Sequence, residues 1–217
     1  MNLIVRNPGW HSSVDTCSKI IPGIVTALFC VVMFGCSSSR QVSRVSADTV
    51  TDVSGDWNDT DSRLVSEAMV RDLTSAAWVD NFTQGKGKKP TVIVGTITNR
   101  SYEHIDVTTF VKDLERSLLN DGVVNFVASS RERDQIREER KDQAREASEE
   151  TQKGPGQETG ADVMLIGNIS SIIDKEGGEA VRYYQINMEL VDIATNQKLW
   201  IGEKKIKKIV TQDKYKF

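Results

Sequence analysis

Apolar positions recur at three- and four-residue spacing from Thr60 to Phe82, through Leu64, Val65, Ala68, Met69, Leu73, Ala76 and Ala77. This spacing predicts one helix over 60–82, capped by Thr60 or Asp61. The run GKGKKP, Gly85 to Pro90, breaks it. Thr91 to Ile97 (TVIVGTI) is β-branched and apolar on both faces in its middle, which suits a strand inside a sheet. Asp106 opens a second helix with Val107, Phe110, Val111, Leu114 and Leu118 on one face, and Asn120-Asp121-Gly122 closes it. Val123 to Ala128 (VVNFVA) predicts another strand, and the intervening helix is long enough for a crossover. Parallel pairing of the two strands follows.

Arg131 to Glu150 carries six basic and eight acidic residues, with Ile136 the only large aliphatic one. It reads as a solvated helix laced with i,i+4 ion pairs, or as a charged docking surface. After Gly154-Pro155-Gly156, Val163 to Ile169 (VMLIGNI) is a third buried strand, and Gly177-Gly178 signals a hairpin. Ala180 to Ile193 then alternates, with Tyr184, Ile186, Met188 and Leu190 on one face and Tyr183, Gln185, Asn187 and Glu189 on the other. Such alternation marks a sheet covered on one side only, unless a third helix lies over the polar strip. A last strand, Lys198 to Glu203, is followed by the basic run KKIKKIV. Exposed lysines on an edge strand discourage aggregation. The fold class expected is α/β, a small mixed sheet flanked by helices.

Ahead of this body, Ile20 to Gly35 is almost wholly apolar, preceded by Lys19 and followed by Cys36 and three serines. Sixteen residues is short for a membrane span, which takes about 20, and Pro22 and Gly23 weaken it further. A basic residue, an apolar stretch and a small residue before the cut describe a secretory signal. MFGC, residues 33–36, resembles a bacterial lipobox. That resemblance implies removal of residues 1–35 and acylation of Cys36, and Ser37 resembles the pattern for sorting to the outer membrane. All three cysteines fall within the first 36 residues, so the mature body would have no internal disulfide and no cysteine-ligated metal. Residues 36–59 read as a lipidated flexible linker and 60–217 as the globular domain. The linker could stretch to roughly 75 Å, although a coil of this length averages about 25–30 Å.

The chain has 217 residues, 27 % of them charged, with a formal net charge of −3. No basic surplus is available to neutralise phosphates, so a nucleic-acid partner is not expected. Of the two histidines, only His104 lies in the body, beside Glu103 and Asp106 in a loop. Sequence neighbours in a loop rarely converge on one point, and no second histidine can complete a site. Motifs for a nucleophile elbow, a phosphate loop or a zinc protease are missing from the sequence. No catalytic residue, metal or cofactor is expected, and an adaptor or regulator is favoured over an enzyme.

Three segments carry a family resemblance: VIVGTITNRSYEHIDVTTFVKDLERSLL, VVNFVASSRERDQIREERKDQ and GQETGADVMLIGNISSIIDKEGGEAVRYYQINMELVDIATNQKLWIGEKKIKK. Together they resemble the penicillin-binding protein activator LpoB family over roughly residues 90–208. The resemblance implies a fold similar to the N-terminal domain of TolB. It also implies an outer-membrane lipoprotein on the periplasmic side, working as a monomer, whose domain stimulates a bifunctional class A penicillin-binding protein. Tyr183, Gln185, Asn187 and Glu189 are the expected docking strip, because tyrosine is enriched at interfaces. The alternative is a secretion component similar to the curli lipoprotein CsgG. That reading needs spare transmembrane hairpins, and every alternating run is already used by the sheet.

Overall fold

A computed structural model describes residues 41–211; the expected signal sequence and Cys36 lie outside the described residues. Five strands form one mixed sheet in the order β2-β1-β3-β4-β5. They are β1 (Thr91–Arg100), β2 (Asn125–Phe126), β3 (Val163–Glu176), β4 (Glu179–Asp192) and β5 (Lys198–Thr211). β1 runs parallel to β2, as the βαβ pattern predicts, and also parallel to β3, whereas β3, β4 and β5 are antiparallel. Gly177 and Gly178, both at positive φ, turn β3 into β4. Only glycine adopts such a pair of left-handed conformations without strain.

Among the described residues four helices accompany the sheet: α1 (Asp59–Ser75), α2 (Trp78–Lys86), α3 (Val107–Asp121) and α4 (Ser130–Glu146). α1 and α3 pack against each other and cover one face of the sheet. Val65, Met69 and Leu73 of α1 and Phe110, Leu114 and Leu118 of α3 meet Val92, Leu165, Ile169 and the four apolar residues of β4 there. Tyr184, Ile186, Met188 and Leu190 are each 0 % exposed, so the alternation read in β4 is the register of the core. In β1 a register shift between Val94 and Ile97 moves the inward phase by one residue, and Ile97 is buried where strict alternation would put Thr96.

Several boundaries differ from the sequence expectation, each for a physical reason. The helix expected over 60–82 is two helices, because Ala76 adopts extended backbone. The indole N–H of buried Trp78 donates to the Leu73 carbonyl at 2.7 Å, taking one of the bonds the helix end leaves open. Neither Thr60 nor Asp61 is the cap of α1. Asn58 is, in a capping box that Asp61 closes from the other side. Of the strand expected at 123–128, only Asn125–Phe126 pairs, while Val124 is buried against the core from outside the ladder. The basic run KKIKKIV lies inside β5, which continues to Thr211 opposite the full length of β4.

α4 has no buried residue. Its ion pairs, Arg137–Asp134 and Lys141–Glu138 among them, are spaced i,i+3 where i,i+4 was expected. Glu132 fixes its first turn: it accepts from the Ser129 backbone at 2.9 Å and from Lys112 of α3 at 2.6 Å. Lys112 and then Ser129 hold the Glu132 carboxyl down at about 2. Depressed below the ordinary 4.5, this group stabilises the docked helix above that value and loses its effect as pH falls toward 2. Protection factors of the amides at 130–134, relative to intrinsic exchange, are expected to fall on acidification through that window, and Glu132→Gln to remove that fall. In the core, Leu114→Ala is expected to cost about 2–5 kcal/mol in urea unfolding. An unchanged midpoint would show that α3 does not hold the sheet.

Candidate functional site

The face of the sheet opposite α1 and α3 is open. Its centre is the β4 strip, and Tyr183, Gln185, Asn187 and Glu189 are all half-buried there. Each lies between two neighbours set by the register: Tyr183 between Ile172 and Lys207, Gln185 between Ser170 and Lys205, Asn187 between Asn168 and Glu203, and Glu189 between Ile166 and Ile201. The structure therefore brings all four predicted residues together on one uncovered surface.

Along the strip the side chains bond to one another. The Tyr183 hydroxyl donates to Gln185 Oε1 at 3.3 Å, and Gln185 Nε2 donates to Asn187 Oδ1 at 3.1 Å. Glu189 pairs with Lys198 at 2.7 Å and Glu203 with Lys205 at 2.6 Å. This self-pairing lowers the entropy left to lose on contact, because the side chains already share one geometry. Ile172, Ile201 and Ile209 on the same face are 65 %, 64 % and 70 % exposed. A hollow of about 300 Å³ lies over β1, β3 and β4, lined by Thr98, Arg100, Asn168, Asn187 and Glu189 among others. Amides, hydroxyls and flanking isoleucines make a surface that can bind by contact. Among the described residues no group of three His, Cys, Asp or Glu side chains could hold a metal ion.

On the covered face, the distal halves of β4 and β5 carry two cations at positions whose alternation points inward, Arg182 and Lys208, directly opposite one another. Glu103 and Asp56 both pair with Arg182. Asp61 and Asp52 both pair with Lys208, at 2.5 and 2.6 Å. Burial works against the charge on each cation, and the carboxylates outweigh it, so both pKa values are raised. Glu103 also accepts the Tyr184 hydroxyl at 2.7 Å and the Trp57 backbone N–H at 3.1 Å. Burial first and Glu103 second push the Tyr184 phenol up.

Trp57 stands edge-on to Phe110 and Tyr184, with ring centroids 6.1 and 5.6 Å apart. At Gly55, where φ is +74°, the backbone passes so close to Val210 that no side chain would fit. Residues 52–58, expected to be flexible linker, are thus bound to the body through an aromatic ring and two carboxylates.

Sequence reading passed over this cluster while weighing His104, which is exposed. Its neighbour Glu103 is the residue that matters. The available signal was parity: Arg182 and Lys208 fall in step with the buried residues of their strands, and a cation at a core position demands a partner.

The family model of the peptidoglycan-synthase activator LpoB matches residues 61–206, more than half of the chain. The chain belongs to the LpoB family. It is similar to the LpoB C-terminal domain from Salmonella enterica, at 18 % identity over 60 % of this chain and 98 % of that one, with a TM-score of 0.34. The corresponding Escherichia coli domain matches at 14 % identity over the same shares, with a TM-score of 0.34. A lipoprotein from Neisseria meningitidis matches at 15 % identity over 58 % and 87 %, with a TM-score of 0.37. A search of curated proteins finds no match. The family is one of peptidoglycan-synthase activators. Nothing favours the CsgG-like alternative.

Replacing Glu103 by Ala should remove the acceptor shared by Trp57, Tyr184 and Arg182. The expected loss is about 2–3 kcal/mol in chemical denaturation, below the 3–5 typical of a fully buried pair because Asp56 still faces Arg182. His104→Ala, one residue along, should leave stability unchanged.

Proposed function

We propose that this chain is an outer-membrane lipoprotein, acylated at Cys36 and facing the periplasm. It acts as a monomer that binds and allosterically activates a bifunctional class A penicillin-binding protein. The family match over 61–206 is the observation that carries this reading. The MFGC motif ahead of the body supports the anchor. The protein has no reaction of its own to perform and works by differential affinity for two states of the synthase. A partner can shift such an equilibrium only by that difference, typically about 1–3 kcal/mol.

Docking is assigned to the open face, with Tyr183, Gln185, Asn187 and Glu189 at its centre. The strip's pre-paired side chains and the exposed isoleucines around it support this choice. The experiment is stimulation of glycan polymerisation by the purified class A synthase of the same cell. Tyr183→Ala combined with Glu189→Ala is expected to leave the fold intact, since both side chains lie outside the core, and to reduce stimulation about tenfold or more. Full stimulation by the folded double variant would reject the strip. Absence of radiolabelled palmitate in the wild-type protein, or labelling that persists after Cys36→Ser, would reject the anchor.

A further inference from the structure

The two cations under the sheet are held in a way that divides them between two parts of the chain. Lys208 has Asp52 from the segment before α1 and Asp61 from within α1. Arg182 has Asp56 from that same segment and Glu103 from the loop between β1 and α3. Each cation thus has one carboxylate from residues 52–58 and one from the body. If 52–58 lifted away, neither charge would be left unpaired, which is the usual reason a buried ionic contact cannot open alone. Trp57 is only half-buried, whereas the Phe110 and Tyr184 rings it touches are 0 % exposed. Its indole packs on those rings from the margin of the core and is not one of the buried residues at its centre.

We propose that residues 52–58 form a releasable clasp, docked on the distal ends of β4 and β5, that lengthens the tether when the chain is pulled. This rests on the anchored reading above for its role, but not for its existence. With the clasp docked, the stretch from Ser37 to Thr51 spans at most about 50 Å when fully extended. Opening adds the six residues ahead of Asn58, on the order of 20 Å. Tension arriving from residue 51 meets the contacts one at a time: Asp52 on Lys208, Gly55 against Val210, Asp56 on Arg182, then Trp57. Peeling stops at Asn58, whose capping box belongs to α1. The domain so released keeps its open face unchanged, because the clasp lies on the opposite side of the sheet.

The test pulls the full chain between Val50→Cys and Arg71→Cys, both exposed positions, with the three native cysteines changed to serine. A reversible lengthening on the order of 20 Å at a force below that of global unfolding is expected. Trp57→Ala should abolish the step, and Asp52→Asn with Asp56→Asn should lower its force. Both variants should keep the wild-type circular dichroism. Hydrogen exchange of the unpulled protein should show 52–58 opening about a hundredfold more often than the centre of β4. A single all-or-none unfolding step, or exchange of 52–58 only together with β4, would overturn the clasp. Neither measurement involves a synthase, so a failed stimulation assay would leave this result standing, and the reverse also holds.

Discussion

The distal half of this domain depends on placing two cations beneath a sheet and supplying them with four carboxylates from three separate places. Arg182 and Lys208 face each other across β4 and β5 where apolar side chains fill the rest of the inner surface. An unpaired cation there would cost several kcal/mol, so the surrounding chain is committed to deliver Asp52, Asp56, Asp61 and Glu103 to it. That requirement fixes the loop between β1 and α3, the start of α1 and the path of the segment before it. Tyr184 and Trp57 join the same group through Glu103, so the ionic cluster and the aromatic corner of the core form one unit.

The two faces of the sheet then have different tasks. One is covered by α1 and α3 and holds the molecule together. The other carries amides and hydroxyls bonded along the strand and isoleucines exposed at both ends. A surface ordered before contact loses little entropy on binding, which suits a protein whose family is one of synthase activators. α4, with no buried residue, is joined to the body through Lys112 and Glu132.

Much of this was legible in the sequence, and the reasons are local. β4 reads correctly because a strand buried on one face has a period of two, and the hairpin reads correctly because two adjacent glycines have few other uses. The Asp106 cap and the Gly122 stop of α3 are both where their residue types predict. Periodicity failed where a distant or non-periodic group decided the outcome. Ala76 and Ala77 continue the helical spacing, yet the Trp78 indole ends α1 there. The carboxylates of Asp61 and Asp52 lie 147 and 156 positions from Lys208, and no local pattern joins them. Of the candidate surface, the side and the members were readable from alternation alone; the clasp beneath it was not.

The sheet's two margins are finished differently. β2, two residues long, offers almost nothing for another strand to pair with. β5 runs fourteen residues along the far margin but sets Lys204, Lys205 and Lys207 on it within four positions. Two copies brought margin to margin would oppose like charges before any backbone bond could form. Many molecules could therefore stand crowded side by side without stacking into fibres.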